Sequence, residues 1–287
     1  MTNLWSLGGL SLRELFARTW HEIWEDEVFG QASRLAFYHF IAIFPCLLLL
    51  FVLLARFPSA QTRLHHTLID SLRPLLPQPS FALLENIVAQ LKDTARNRAI
   101  EWSAAVGAIW AAVNGTWAMI TGLNTAYEVR EERPLWKILG VAAALTLALA
   151  IFVVAALGTL AYAARLWPGI DLRWIQWPIL CGLLLASFAL FYRFGPNLSD
   201  REWQWSTPGA GLAMILWLTA AGAMRFYSAH FHSYALIYKQ LDGAASLLMW
   251  FYFTSAAVLI GGELNSEIEK AARARDGRPH AESRAGR

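Results

Sequence analysis

The stretch 138-ILGVAAALTLALAIFVVAALGTLAYAA-164 runs for 27 residues without an Asp, Glu, Lys or Arg. At about 1.5 Å per residue such a helix reaches about 40 Å, more than the ~30 Å of hydrocarbon in a bilayer. It is long enough to cross with tilt. Lipid offers the backbone no hydrogen bonds and the stretch shows no alternation of polar and apolar residues. It therefore reads as a membrane-spanning helix, not a barrel strand.

Five further uncharged stretches flank it, at about 36–54, 102–123, 177–192, 208–224 and 243–262. Together they predict an all-α, polytopic membrane bundle of six transmembrane helices. The whole composition agrees: of 287 residues 56% are hydrophobic and 16% charged, against about 25% charged in a soluble domain, and the mean hydropathy is +0.38. Fourteen Trp, sixteen Phe and eight Tyr exclude a disordered chain. Cys46 and Cys181 each lie inside an apolar run and supply neither a disulfide framework nor a zinc site.

Outward from the spans, residues 1–34 form an N-terminal amphipathic segment in which Leu12, Leu15, Phe16, Trp20, Ile23 and Trp24 keep helical spacing. Such a helix lies in the membrane surface or packs on the cytoplasmic ends of the bundle, and both readings are open. Glu22, Glu25, Asp26 and Glu27 argue against a cleavable signal. Residues 35–265 form the transmembrane domain. Within it, 55–101 is an external helical loop, two amphipathic helices separated by Pro74, Pro77 and Pro79. Residues 266–287 form a basic cytoplasmic tail. Trp102, Trp136, Trp167, Trp174, Trp177, Trp203 and Trp205 fall at span ends, as an interfacial belt places them, whereas Trp110, Trp117, Trp217 and Trp250 are expected to pack. Fourteen Lys and Arg fall on the side of the termini and ten on the other, which predicts both termini in the cytoplasm.

Catalytic chemistry finds little to stand on. His65 and His66 diverge on a helix, and His230 and His232 have no ligand partner at zinc spacing. No Walker loop, nucleophile elbow or dinucleotide fingerprint is present. The expectation is a non-enzyme with no catalytic residue, no cofactor and no metal. Polar groups at or inside the hydrocarbon are the better candidates, since burying them is costly unless they pair or line an aqueous path. These are Arg34, Tyr38, Asn114, Asn124, Tyr127, Glu263 and Asn265, with Arg34 and Glu263 expected to pair at the cytoplasmic end. Pro45, Pro208, Gly209, Gly261 and Gly262 are candidate kinks or hinges.

The runs 32-ASRLAFYHFIAIFP-45, 123-LNTAYEVREERP-134, 192-YRFGPN-197, 207-TPGAGLAMILWL-218 and 249-MWFYFTSAAVLIGGELN-265 resemble the YihY/virulence factor BrkB family of bacterial inner-membrane proteins. The resemblance spans about residues 11 to 270. It departs at Ala42, where the family usually has Ser, at Tyr238-Lys239 for Tyr-Gly, and at Gly261-Gly262-Glu263 for Gly-Ala-Glu. It implies a bacterial inner-membrane, multi-pass location. Older family labels read ribonuclease BN, which the absence of a carboxylate or His cluster and of a basic groove argues against. Other family links are to serum resistance and to movement of lipid or lipopolysaccharide precursor. The expected function is a transporter or flippase-like protein for a lipid or other amphiphile. The alternative is a non-transporting membrane scaffold or envelope assembly factor. Expected partners are membrane lipids and, as an open option, further copies of the chain in a homo-oligomer, with no nucleic acid.

Overall fold

A computed structural model describes residues 4–55, 98–166, 173–198, 207–230 and 239–275, together with 79, 81–83, 85 and 86. After a 3-10 turn at Leu4–Gly9 come seven long helices: α1 (Leu12–Glu25), α2 (Val28–Ala55), α3 (Arg98–Ala126), α4 (Leu135–Leu166), α5 (Arg173–Phe194), α6 (Pro208–His230) and α7 (Lys239–Arg275). No strand occurs among the described residues. The all-helical membrane bundle expected from the sequence is the fold.

Helices α2 to α7 alternate in direction. Gln31 faces Gly122 and His39 faces Gly115, which runs α2 antiparallel to α3. Thr116 and Thr146 share a hydrogen bond of 2.7 Å between α3 and α4. Tyr192 of α5 donates to the Val258 carbonyl of α7 at 2.7 Å. Gly209 and Trp217 of α6 meet Asn265 and Thr254 of α7, again antiparallel.

Five of these helices, α3 to α7, are long and apolar enough to cross a membrane. The first expected span, 36–54, lies in α2, whose 28 residues give a continuous helix of about 42 Å through Pro45. Its side chains from Phe44 onward lie outside the described residues, so five spans, not six, are counted from the structure. Most of the external loop 55–101 also lies outside the described residues, as do Trp167, Trp203 and Trp205.

Burial shows where lipid belongs. In the apolar window of α4 only 17% of residues are buried, leaving Leu147, Ile151 and Val154 exposed. Water would penalise that surface, and a bilayer does not. Trp102, Trp136 and Trp177 are exposed at span ends as the belt predicts, while Trp217 and Trp250 pack edge to face at 5.2 Å. Trp110 does not pack. It is 66% exposed, because the buried stripe of α3 passes through Ala108 and Ala111 instead.

The amphipathic N-terminal helix forms with a capping box: the Glu14 amide donates to Ser11 Oγ at 3.2 Å, and the Ser11 amide returns to Glu14 Oε2 at 3.0 Å. Leu15, Thr19 and Ile23 are buried, with Leu15 packed on Ile268 of α7. Leu12, Phe16, Trp20 and Trp24, one turn apart, are all exposed, with Phe16 stacked on Trp20 and Trp20 edge-on to Trp24. Of the two seats expected for this helix, the bundle end is the one found: one face docks there and the other is left apolar and exposed.

The last helix differs from the expected span 243–262 followed by a loose tail. It is 37 residues long, about 56 Å, and residues 266–275 continue it with Ser266, Glu267 and Ile268 buried. The N-terminal turn explains this burial. Gly8 (φ 60°) and Gly9 (φ 75°) take left-handed conformations that bring the chain against Ile268 and Ala271, and Arg275 donates to the Gly8 carbonyl at 3.5 Å. Both described termini therefore lie at one end of the bundle. Residues 276–287 lie outside the described residues.

Candidate functional site

Three polar regions gather at the end where the termini meet. The first is a groove of about 560 Å³ between α2 and α3. On α2 it is lined by Gln31, Arg34, Leu35 and Tyr38, spaced as one helical face. On α3 Asn114, Trp117, Thr121 and Thr125 answer with the same period, over about 16 Å of helix. Glu25, Asp26 and Glu27 form its mouth at the elbow between α1 and α2. Asp26 ends α1, and Glu27 takes a left-handed φ of 49°, which turns the chain into α2. Gln31 fixes the elbow by donating to the Asp26 carbonyl at 2.7 Å.

The α3 side chains in this groove satisfy themselves on their own helix. Asn114 donates to the Trp110 carbonyl at 2.7 Å, Thr121 to Trp117 at 3.1 Å and Thr125 to Thr121 at 3.3 Å. None ties α3 to α2; the helices close behind the groove, where Gly115 meets His39 and Gly122 meets Gln31, and the groove itself lies open along their outer face.

Carboxylates around Lys270 make the second region. Its Nζ lies 2.5 Å from Glu128, 2.7 Å from Glu267 and 3.7 Å from Glu22. Burial pushes the Glu22 carboxyl up, with Lys270 pulling the other way. Next to this set the Asp26 carboxyl lies beside Glu263 of α7. Burial, reinforced by Glu22 and Glu128, pushes the Asp26 carboxyl up to about 6. Among the described residues no three His, Cys, Asp or Glu side chains are set to hold a metal ion. The expected pairing of Arg34 with Glu263 is not the arrangement found. Ala32, Leu35 and Ala36 carry the core-facing stripe of α2, which leaves Arg34 exposed at the groove, while Glu263 is 1% exposed and lies beside Asp26.

The third region is a lock. At the crossing of α6 and α7 a Cβ on Gly209 would overlap the Gly261 carbonyl, and one on Gly261 would overlap the Tyr192 hydroxyl. Only glycine permits that approach. Asn265 caps α6 from its neighbour: its Oδ1 accepts from the Gly209 amide at 2.9 Å and its Nδ2 donates to Thr207 Oγ1 at 2.9 Å. Pro208 occupies the first helical position of α6, where its missing amide costs nothing. The expected hinges Pro208, Gly209 and Gly261 are thus a helix start and a contact point, and Gly262 packs against Leu123.

Nearby, Asn124 holds the loops together. It donates to Glu131 Oε2 at 2.8 Å and accepts from the Asn197 amide at 2.8 Å. Arg133 pairs with the same Glu131 and reaches the Gly195 carbonyl at 2.9 Å. Burial works to raise the Glu131 carboxyl, but hydrogen bonds from Arg133 and Asn124 outweigh it and hold the group below the usual carboxylate range.

Of the residues expected from sequence, Arg34, Tyr38 and Asn114 meet in the groove. Asn124, Tyr127, Glu263 and Asn265 are buried elsewhere. Asp26, Gln31, Tyr192, Thr207 and Lys270 carry the geometry without having been expected to. Tyr192 stands inside the quoted motif 192-YRFGPN-197, and in the sequence Asp26 is one charge of an acidic stretch and Lys270 one of a basic tail.

A family model described as virulence factor BrkB matches residues 19–285. The chain belongs to the virulence factor BrkB family. Among its relatives is the putative ribonuclease-like protein YfkH of Bacillus subtilis, 28% identical over 94% of this chain and 98% of that protein. The UPF0761 membrane protein Smlt0865 of Stenotrophomonas maltophilia is 26% identical over 87% of this chain, which spans 59% of that longer protein. A UPF0761 membrane protein of Tolumonas auensis is 23% identical over 90% of this chain and 86% of its own length. No solved structure matches. Family membership and the apolar helices make the protein an integral membrane protein.

Proposed function

We propose that the protein moves a lipid or other amphiphile between the leaflets of the bacterial inner membrane, with the α2/α3 groove as the headgroup path. The groove carries the reading. It offers polar walls for about 16 Å, roughly half of a ~30 Å hydrocarbon layer. Its flank is apolar and uncovered at Phe37, Ile41, Ile109 and Trp110, where acyl chains can remain in lipid. We place both termini in the cytoplasm on the Lys and Arg bias, which agrees with their meeting at one end of the bundle.

The test is reconstitution. Purified protein in vesicles should exchange labelled lipid between leaflets, and no exchange under conditions where a known scramblase works would remove the reading. A scaffold is the second reading, favoured by the locked α6/α7 crossing and the buried Asp26–Glu263 pair. Glu263→Gln separates the two: lost exchange at normal abundance supports transport, and lost protein supports a structural role.

A further inference from the structure

Resting on the transport reading, we infer that the groove selects a zwitterionic phospholipid with a primary ammonium headgroup, its phosphate on Arg34 and its ammonium on Glu25 and Glu27. Arg34 supplies the anion site. It lines the groove as an exposed residue, its guanidinium has no ion-pair partner among the described residues, and it has the planar fork that suits a phosphate.

The carboxylates beside it decide what the rest of the headgroup is. Two exposed carboxylates, Glu25 and Glu27, stand at the mouth against one guanidinium, with Asp26 set beside Glu263, and His21, 3.2 Å from Glu25, adds a positive charge only when protonated. Lys270, the other nearby cation, is already ringed by Glu22, Glu128 and Glu267. A headgroup with negative charge beyond its phosphate meets repulsion there, whereas an ammonium meets compensation. The ammonium must also carry N–H groups. Carboxylates accept hydrogen bonds that a primary ammonium donates three at a time and a trimethylammonium cannot. A trimethylammonium is recognised by an aromatic cage, and the lining aromatics here, Tyr38 and Trp117, lie deeper than the acids. The volume of about 560 Å³ suits a headgroup, with the chains left outside along Phe37 and Ile41.

The experiment uses the full chain and acyl-chain-labelled lipids with unmodified headgroups: phosphatidylethanolamine, phosphatidylglycerol and phosphatidylcholine. Leaflet exchange is measured in vesicles, and lipid-induced thermal stabilisation is measured separately in detergent. Phosphatidylethanolamine should exchange faster and half-saturate the stabilisation at about tenfold lower concentration than the other two. The exposed double variant Glu25→Gln with Glu27→Gln should collapse that preference, and Arg34→Gln should weaken all three lipids together. Equal or stronger effects of phosphatidylglycerol or phosphatidylcholine overturn the headgroup assignment while leaving lipid transport standing. Selective stabilisation by phosphatidylethanolamine without any exchange supports the assignment and removes transport. Neither exchange nor stabilisation by any lipid overturns both.

Discussion

The α6/α7 crossing and the α2/α3 groove are both polar places at one end of one membrane bundle, yet one is closed and the other open. At the crossing every polar partner belongs to a different helix: Asn265 reaches Gly209 and Thr207, and Tyr192 reaches Val258. In the groove Asn114, Thr121 and Thr125 bond back to their own helix. Where polar atoms spend their bonds, and not how polar the residues are, separates a joint from a passage.

The strongest way to break this contrast is to force the joint apart. Gly209→Val places a branched side chain into the Gly261 backbone, and overpacking of that kind costs about 1–3 kcal/mol or more. The purified variant should lose its cooperative melting transition. Gly211, two residues on in α6, has nothing within 4 Å of a Cβ, and Gly211→Ala should melt no lower and gain up to about 1 kcal/mol of helix propensity. Equal behaviour of the two would show that the crossing is not tight.

Removing the cap without disturbing the backbone should cost less. Asn265→Ala leaves the Gly209 amide and Thr207 hydroxyl buried without their partner, an expected loss of about 1–3 kcal/mol read as a lowered Tm.

A titration sharpens the contrast from the groove side. Asp26 is pushed up to about 6 from an ordinary 3.8, so in the folded state it holds its proton over a window where the unfolded chain has released it. Its effect on stability therefore falls as pH rises from about 4 to 6, and Asp26→Asn should remove that slope. Glu131, held below its ordinary value, acts with the opposite sign: its contribution is present above the unfolded value and is lost as pH falls through the folded one. Melting temperature against pH in the two variants Asp26→Asn and Glu131→Gln should separate the two slopes.

The smallest structural effect is expected where the groove is lined but not bonded across. Thr121→Val removes one hydroxyl that is exposed and bonded only within α3, and should shift stability by no more than about 0.5 kcal/mol while slowing lipid exchange. A large loss of stability would make the groove a second joint.

Much of the fold was legible because lipid imposes a simple condition on sequence. A run such as 138–164 can be only a spanning helix, and the spacing of Leu12, Leu15, Phe16, Trp20, Ile23 and Trp24 marks α1. Half of the site was legible for the same reason: Arg34, Tyr38 and Asn114 are polar residues out of place in apolar runs, and they converge. Asn124 and Asn265 looked no different, yet they bond across to other elements, and only the tertiary arrangement reveals that. Asp26 and Lys270 were hidden because each lies where a charge is ordinary, at a helix end and in a basic tail. Their meeting spans more than two hundred residues of chain, and no local spacing encodes it.

The clasp between the Gly8 turn and Arg275 joins residues 267 positions apart. It sets an order of events during synthesis. Ribosomes add about 5–20 residues per second, so some tens of seconds separate the making of α1 from the making of its seat on α7. For that interval Leu15 has no α7 to cover it, and the apolar row Leu12, Phe16, Trp20 and Trp24 gives the waiting helix a face suited to a bilayer surface. α1 is therefore made well before the seat that fastens it, and this end of the bundle closes only once α7 is in place.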